Sequence, residues 1–287
     1  MSIGVAGIPR DHGRMSNPTE RPMKHPECRI TYFATAMTLI ELVTDEGSLR
    51  LLTDPVLDAA GSEFDHGPVH LTKTTAATVR VQDLGRIDAV LLSHDQHADN
   101  LDNGGRKLLA SAGQVLTTPE AASRLGGHAL GMIEWEVQRL SGPGFDLSIT
   151  ALPAQHGPDG TQAATGPVTG FMLEWPGQQH GALYISGDTV LFNGTDEIAR
   201  RCRIGTALLH LGRAQLAPLG DLVFSLSASE AARYGQALGL QTLIPLHFDG
   251  WAHFTEGRTA ADASFEHTSM REKVRWLESG VATALLV

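Results

Sequence analysis

The sequence predicts a mixed α/β fold (α+β) in one domain, and three observations carry that prediction. Short apolar runs of strand length alternate with stretches of helical period along most of the chain. Turn residues such as Asp45-Glu46-Gly47 and Pro176-Gly177 separate them. Six of the apolar runs stop at a residue able to hold a cation or carry a proton: Asp54, His94, His156, Asp188, His210 and His247. A single histidine behind a strand is usually a hydrogen-bonded structural residue. Six such endings are different, because in layered α/β folds the strand ends gather at one edge, where sites are built.

In order along the chain, residues 1–27 carry Gly, Pro, Arg and His without an apolar core of signal-peptide length. They read as a poorly ordered or partner-packed arm, leaving 28–287 as the folded domain. Ile30–Val43 and Leu49–Leu52 read as strands joined at Asp45-Glu46-Gly47, and Asp54-Pro55 ends the second. Ile87–Leu92 is a buried strand running into the loop His94–Asp102. Asn103–Ala112 reads as a helix, with Asn103-Gly104-Gly105 as its start or a turn before it. Val115–Thr117 is a short strand, and Pro119 opens a helix to Leu125, proline being suited to a first helical position. Leu147–Pro153, Val168–Trp175 and Gly181–Ser186 read as strands, 195–201 as a helix and Ala207–Leu211 as a strand. Ser227–Leu238 reads as a helix because Ser227 and Glu230 have the spacing of a capping box. Thr242–Leu246 is a strand, Phe265–Ser279 the last helix and Ala282–Val287 the last strand.

Composition limits the function classes. The chain has 287 residues, 42% hydrophobic and 19% charged, as expected of an ordinary globular protein with a sizeable core. Its 22 basic and 32 acidic residues give a formal charge of −10, the wrong sign for a nucleic-acid footprint. No apolar run approaches the roughly 20 residues of a membrane span. Two cysteines, Cys28 and Cys202, argue against a disulfide framework, and a cytoplasmic setting follows.

The loop His94-Asp95-Gln96-His97-Ala98-Asp99-Asn100 concentrates imidazoles and carboxylates directly behind a strand. These are the ligands borderline-soft divalent cations take, zinc above all. His253, Trp251 and Phe254 follow His247 closely and are expected at a substrate-facing wall. His210 is expected to line the same pocket, and His66 and His70 to lie on a rim loop.

Taken together, Thr53-Asp54-Pro55, Ser93-His94…His97-x-Asp99, Pro153-x-x-His156-Gly157, Tyr184-x-Ser186-Gly187-Asp188-Thr189 and Pro245-x-His247 resemble the five ordered motifs of the metallo-β-lactamase superfamily. Within it, the chain looks most like the branch of ascorbate-6-phosphate lactonase-like proteins and N-acyl-phosphatidylethanolamine phosphodiesterases. The resemblance covers about residues 30–287. It implies a four-layer αββα sandwich with the metal centre at one edge. By position, it implies that His94, His97 and His156 hold a first metal, that Asp188 bridges, and that Asp99 and His247 hold a second. Asp54 would support the ligand loop through hydrogen bonds without binding metal.

The family loop reads His-x-His-x-Asp-His, and here it is one residue longer. Aligned from its end, His97, Asp99 and Asn100 take the last three functional positions and Asp95 the first. Aligned from the strand, His94 takes the first position and Gln96 the second. Both registers stay open in the sequence, and in either one Asn100 stands where the final imidazole belongs, weakening the second site.

The resemblance implies metal-assisted hydrolysis of a small lactone, ester or phosphodiester by metal-activated water, with one or two zinc ions and Asp99 or Asp95 as proton carrier. The alternative is a metal-poor, non-catalytic binding or sensing member of the fold. Expected partners are a small-molecule substrate and no nucleic acid, with homo-oligomerisation open.

Overall fold

The computed structural model describes residues 1, 23–67 and 69–287. Most of the expected arm therefore lies outside the described residues, and Glu27 already belongs to the first strand. Among the described residues the first elements are three antiparallel strands, β1 (Glu27–Ala34), β2 (Met37–Thr44) and β3 (Gly47–Thr53). A separate hairpin follows, β4 (Glu63–His66) with β5 (Val69–Thr72). Next come β6 (Ala89–Leu91), α1 (Asn103–Leu109), β7 (Val115–Thr117), α2 (Pro119–Leu125) and β8 (Ala129–Gly131). The second half runs β9 (Val137–Gly142), β10 (Phe145–Ala154), a short α3 (Gln162–Thr165), β11 (Val168–Glu174) and β12 (Ala182–Ile185). It continues through α4 (Asn193–Arg201), β13 (Ile204–His210), α5 (Ala228–Leu238), β14 (Thr242–Leu246), α6 (Arg258–Phe265) and β15 (Thr283–Leu285).

Two mixed sheets result. One has the order β15-β1-β2-β3-β6-β7-β8, the other β14-β13-β12-β11-β10-β9. Strand alternation explains their packing, because successive side chains leave opposite faces. Leu51, Ala89 and Leu91 join the core shared with Leu147, Ile149, Phe171 and Leu183 of the second sheet. Their neighbours Leu52, Val90 and Leu92 instead pack with Leu101, Leu108 and Leu109 around α1. On the far side, Ile198 of α4 and Ala231, Tyr234 and Leu238 of α5 cover the second sheet. Helix, sheet, sheet, helix: this is the expected four-layer sandwich.

Local chemistry fixes the elements next to the strand ends. Asp102 caps α1 by accepting from Gly105 N at 2.8 Å, so Asn103-Gly104-Gly105 is a helix start. Gly105 is required there, since a Cβ would sit 1.9 Å from the Pro55 carbonyl oxygen. Ser227 and Glu230 form the expected capping box of α5.

Three expectations are corrected. The strand read over Ile30–Val43 is a hairpin, turned at Thr35 with φ +53°. The helix read over Phe265–Ser279 lies earlier: α6 ends at Phe265, where the read helix begins. Thr268 turns the chain there by donating to Phe265 O and accepting from Met270 N, and Trp276 folds back to donate to Asp262 at 2.8 Å. The rim segment after Pro55 contains the β4–β5 hairpin. No helix among the described residues is long and apolar enough to cross a membrane.

Candidate metal centre

The ends of β3, β6, β10, β12, β13 and β14 deliver their polar residues to one edge of the sandwich. Asp54, with φ +28°, ends β3 and accepts Ser93 N at 2.7 Å, which fixes the start of the His94 loop. Burial pushes the Asp54 carboxyl up to about 7, against the Ser93 hydrogen bond. Gly187 has φ +62°, and a Cβ there would meet Thr169 O at 2.7 Å; glycine lets the chain turn and present Asp188. His247 also has positive φ, +57°, and its N–H donates to Thr35 O at 2.6 Å. Strain of about 1–3 kcal/mol per such residue persists only where surroundings enforce it, so the Thr35 turn is part of the site's scaffold.

Three imidazoles converge. His94 Nε2 lies 3.0 Å from His97 Nδ1, and His156 Nε2 lies 3.1 Å from the same atom. His156 Nδ1 is 2.6 Å from the Phe224 carbonyl oxygen, so it carries the proton and leaves Nε2 as a bare lone pair. Burial first, then His97, holds His94 well below its usual range, and burial with His156 brings His97 down to about 4. Buried neutral imidazoles with converging nitrogens are a ligand set.

Beside them lie Asp99, Asp188 and His247. His247 Nε2 is 3.3 Å from Asp99 Oδ2 and 3.4 Å from Asp188 Oδ1, while its Nδ1 faces the Leu211 carbonyl at 3.2 Å. Burial opposes charge on His247, but Asp188 and Asp99 outweigh it and raise the ring to about 9. Burial likewise opposes ionisation of both carboxylates, yet the histidines hold both well below the usual range. Asp188 spans the groups: its Oδ2 lies 3.8 Å from His156 Nε2 and 4.0 Å from His94 Nε2, while Oδ1 faces His247.

Within each group the candidate ligand atoms lie within 4.8 Å of one another. Asp99 Oδ1, Asp188 Oδ2 and His247 Nε2 are buried without hydrogen-bond partners. Orphaned buried polar atoms are costly unless something satisfies them. A divalent cation in the second group would do so, and the three converging imidazole nitrogens of the first group suit another, so the residues fit a metal.

The loop register follows from placement. His94 and His97 both enter the first group, so the added residue falls between them. Gln96 turns away to donate to Pro167 O at 2.9 Å. Asp95 is corrected as a proton carrier: its carboxylate is held by Arg124, with Nε 3.1 Å from both oxygens, and by Arg106. Asn100 stays outside both groups and donates weakly to Asp54, Ser93 and Asp188, bracing the loop.

A cavity of about 380 Å³ opens onto this edge, with His97, Asp99, His156 and His253 in its lining. His253 Nε2 meets Asp99 Oδ2 at 3.0 Å. His66 also reaches the cavity, whereas His70 pairs with Asp65 on the exterior. The placements expected of His210 and Trp251 are corrected, since neither lines the cavity. His210 is fully buried, stacked on His247 with Nδ1 3.0 Å from Asp188. Trp251 packs beneath the hairpin with Leu71, Ala98 and Phe64. Sequence reading missed Lys73, Arg106 and Arg124, whose partners lie on distant elements, and the cavity wall at 214–224.

Comparison with known proteins agrees with this architecture. A model of the beta-lactamase superfamily domain matches residues 49–248. The chain belongs to the beta-lactamase superfamily. Similar proteins include a UPF0173 metal-dependent hydrolase of Pelotomaculum thermopropionicum, 29% identical over 78% of this chain and 85% of that protein. Another, from Pyrococcus abyssi, is 23% identical over 72% of this chain and 80% of its own length. Among solved structures, the isothiocyanate hydrolase from Delia radicum gut bacteria shares the fold with a TM-score of 0.75, at 18% identity, covering 90% of this chain and all of that one.

Proposed function

We propose that this metal-dependent hydrolase of the beta-lactamase superfamily acts on a small lactone, ester or phosphodiester at a paired metal centre. The observation that carries the reading is Asp188, whose two oxygens face two separate ligand groups. His94, His97 and His156 would hold one cation and Asp99 and His247 the other, with the Asp188 carboxylate facing both groups. Zinc suits this nitrogen-and-oxygen set, which manganese or iron could also occupy. Bound divalent cations lower the pKa of water toward neutrality and polarise a carbonyl or phosphoryl oxygen.

The chain's own residues do the rest. Asp99 lines the cavity with its Oδ2 held by His253, and this carboxylate would take the proton from water entering beside the cations it helps to hold. His253 lines that cavity and contacts substrate. Asp54 and Asn100 keep the loop in place from behind. The free cysteines, Cys28 and Cys202, accord with a cytoplasmic setting.

Metal removal tests the reading. Dialysis against a chelator is expected to abolish hydrolysis of p-nitrophenyl hexanoate and bis(p-nitrophenyl) phosphate alike, and added Zn²⁺ or Mn²⁺ to restore whichever the enzyme accepts. Undiminished turnover by demonstrably metal-free protein would overturn it.

A further inference from the structure

Resting on the hydrolase reading above, we infer that the substrate is a neutral carbonyl compound with an apolar body, an ester or lactone, and not a phosphodiester. The walls of the cavity point to this. Val69 and Leu71 of β5 line the cavity, together with Leu216, Leu219, Leu222 and Phe224. Leu219 and Leu222 are 37% and 40% exposed at its mouth, outside the hydrophobic clusters of the core. Large apolar side chains left open to water around a concave site mark a surface meant to be covered by an apolar ligand.

The charge arrangement agrees. Among the described residues no Lys or Arg lines the cavity. The cations flanking its walls in sequence are committed elsewhere: Lys73 to Asp102, Arg106 to Asp95, and Arg213 to Gln215 and Thr255. A phosphodiester keeps a full negative charge, and an anion moved from water into an apolar cavity needs a paired cation or strong donors. Here no side-chain cation is offered, and the diester would depend on the metal ions with the imidazoles of His66 and His253 and the hydroxyls of Thr161 and Thr165. The chain's formal charge of −10 further repels an anionic substrate. An uncharged carbonyl brings no such debt, since its negative charge develops only as the reaction proceeds and does so beside the cations. Its apolar portion would lie against the lining residues of β5 and of 216–224.

The test uses the zinc-loaded full chain and reads turnover and binding separately. The metal-dependent kcat/KM is expected to rise at least about tenfold from p-nitrophenyl acetate to p-nitrophenyl hexanoate, as added methylenes enter the apolar walls. It should exceed that for bis(p-nitrophenyl) phosphate by roughly 100-fold. A higher value for the phosphodiester would overturn the inference and leave the hydrolase reading standing. Calorimetry with hexanamide and diphenyl phosphate decides the same point without turnover: tighter hexanamide binding supports the inference, and tighter diphenyl phosphate binding overturns it. Hydrolysis of neither ester nor phosphodiester by metal-loaded protein would count against the hydrolase reading alone.

Discussion

Asp188→Asn is expected to leave the protein folded but to strip metal from both groups and to lower kcat/KM by roughly 10²–10³-fold, the scale on which one preorganised electrostatic partner acts. The variant keeps the shape of the side chain and removes its charge. Asp188 is fully buried, with Oδ2 toward His94 and His156 and Oδ1 toward His210 and His247. Because its two oxygens face the two groups, the loss is expected to reach both cations. Metal analysis of purified variant and wild-type protein checks it directly. Loss of metal from one group only would mean that Asp188 is a ligand on one side and a neighbour on the other. Unchanged metal content would mean that it is not a ligand.

The second large effect concerns stability. Lys73→Met is expected to destabilise the fold by about 3–5 kcal/mol, because removing one member of a buried ion pair strands the other. Lys73 and Asp102 have fully buried side chains, with Nζ 2.8 Å from Oδ2. Asp102 also accepts from Asp58 N at 2.7 Å and caps α1 through Gly105 N, so its charge cannot relax into water without unseating that helix. The pair ties the β4–β5 hairpin, one wall of the cavity, to the far end of the ligand loop. Urea unfolding measures the cost. The double variant Lys73→Met/Asp102→Asn should recover part of it by neutralising the stranded carboxylate. A cost below about 1 kcal/mol, the range of exposed pairs, would show that the pair does not hold the loop.

Much of this architecture is legible in the sequence, for identifiable reasons. Strand ends at Asp54, His94, His156, Asp188 and His247 stand out because an apolar run stops abruptly at a lone polar residue. The α5 cap announces itself through Ser227 and Glu230. The Thr35 turn does not, because Ala34-Thr35-Ala36 contains none of the residues that ordinarily mark a reversal; Thr35 is held at positive φ by tertiary contacts, including the one with His247. The His94–Asn100 loop fits two registers by spacing, and only three-dimensional convergence on His156 separates them. Asp95 looks like a site carboxylate until Arg124, 29 positions away, is found beside it. The partner of His253 is 154 positions distant. Leu216, Leu219 and Leu222 of the cavity lining lie on a segment without strand or α-helical period, so nothing in the sequence distinguishes them from core.

The central claim is a two-position metal centre bridged by Asp188, and anomalous diffraction from zinc-loaded crystals tests it most directly. Two peaks are predicted, one ligated by His94, His97 and His156, the other by Asp99 and His247, with Asp188 contacting both. Less than half an equivalent of metal per chain with no gain on adding Zn²⁺ or Mn²⁺, or a metal bound away from these residues, would contradict it.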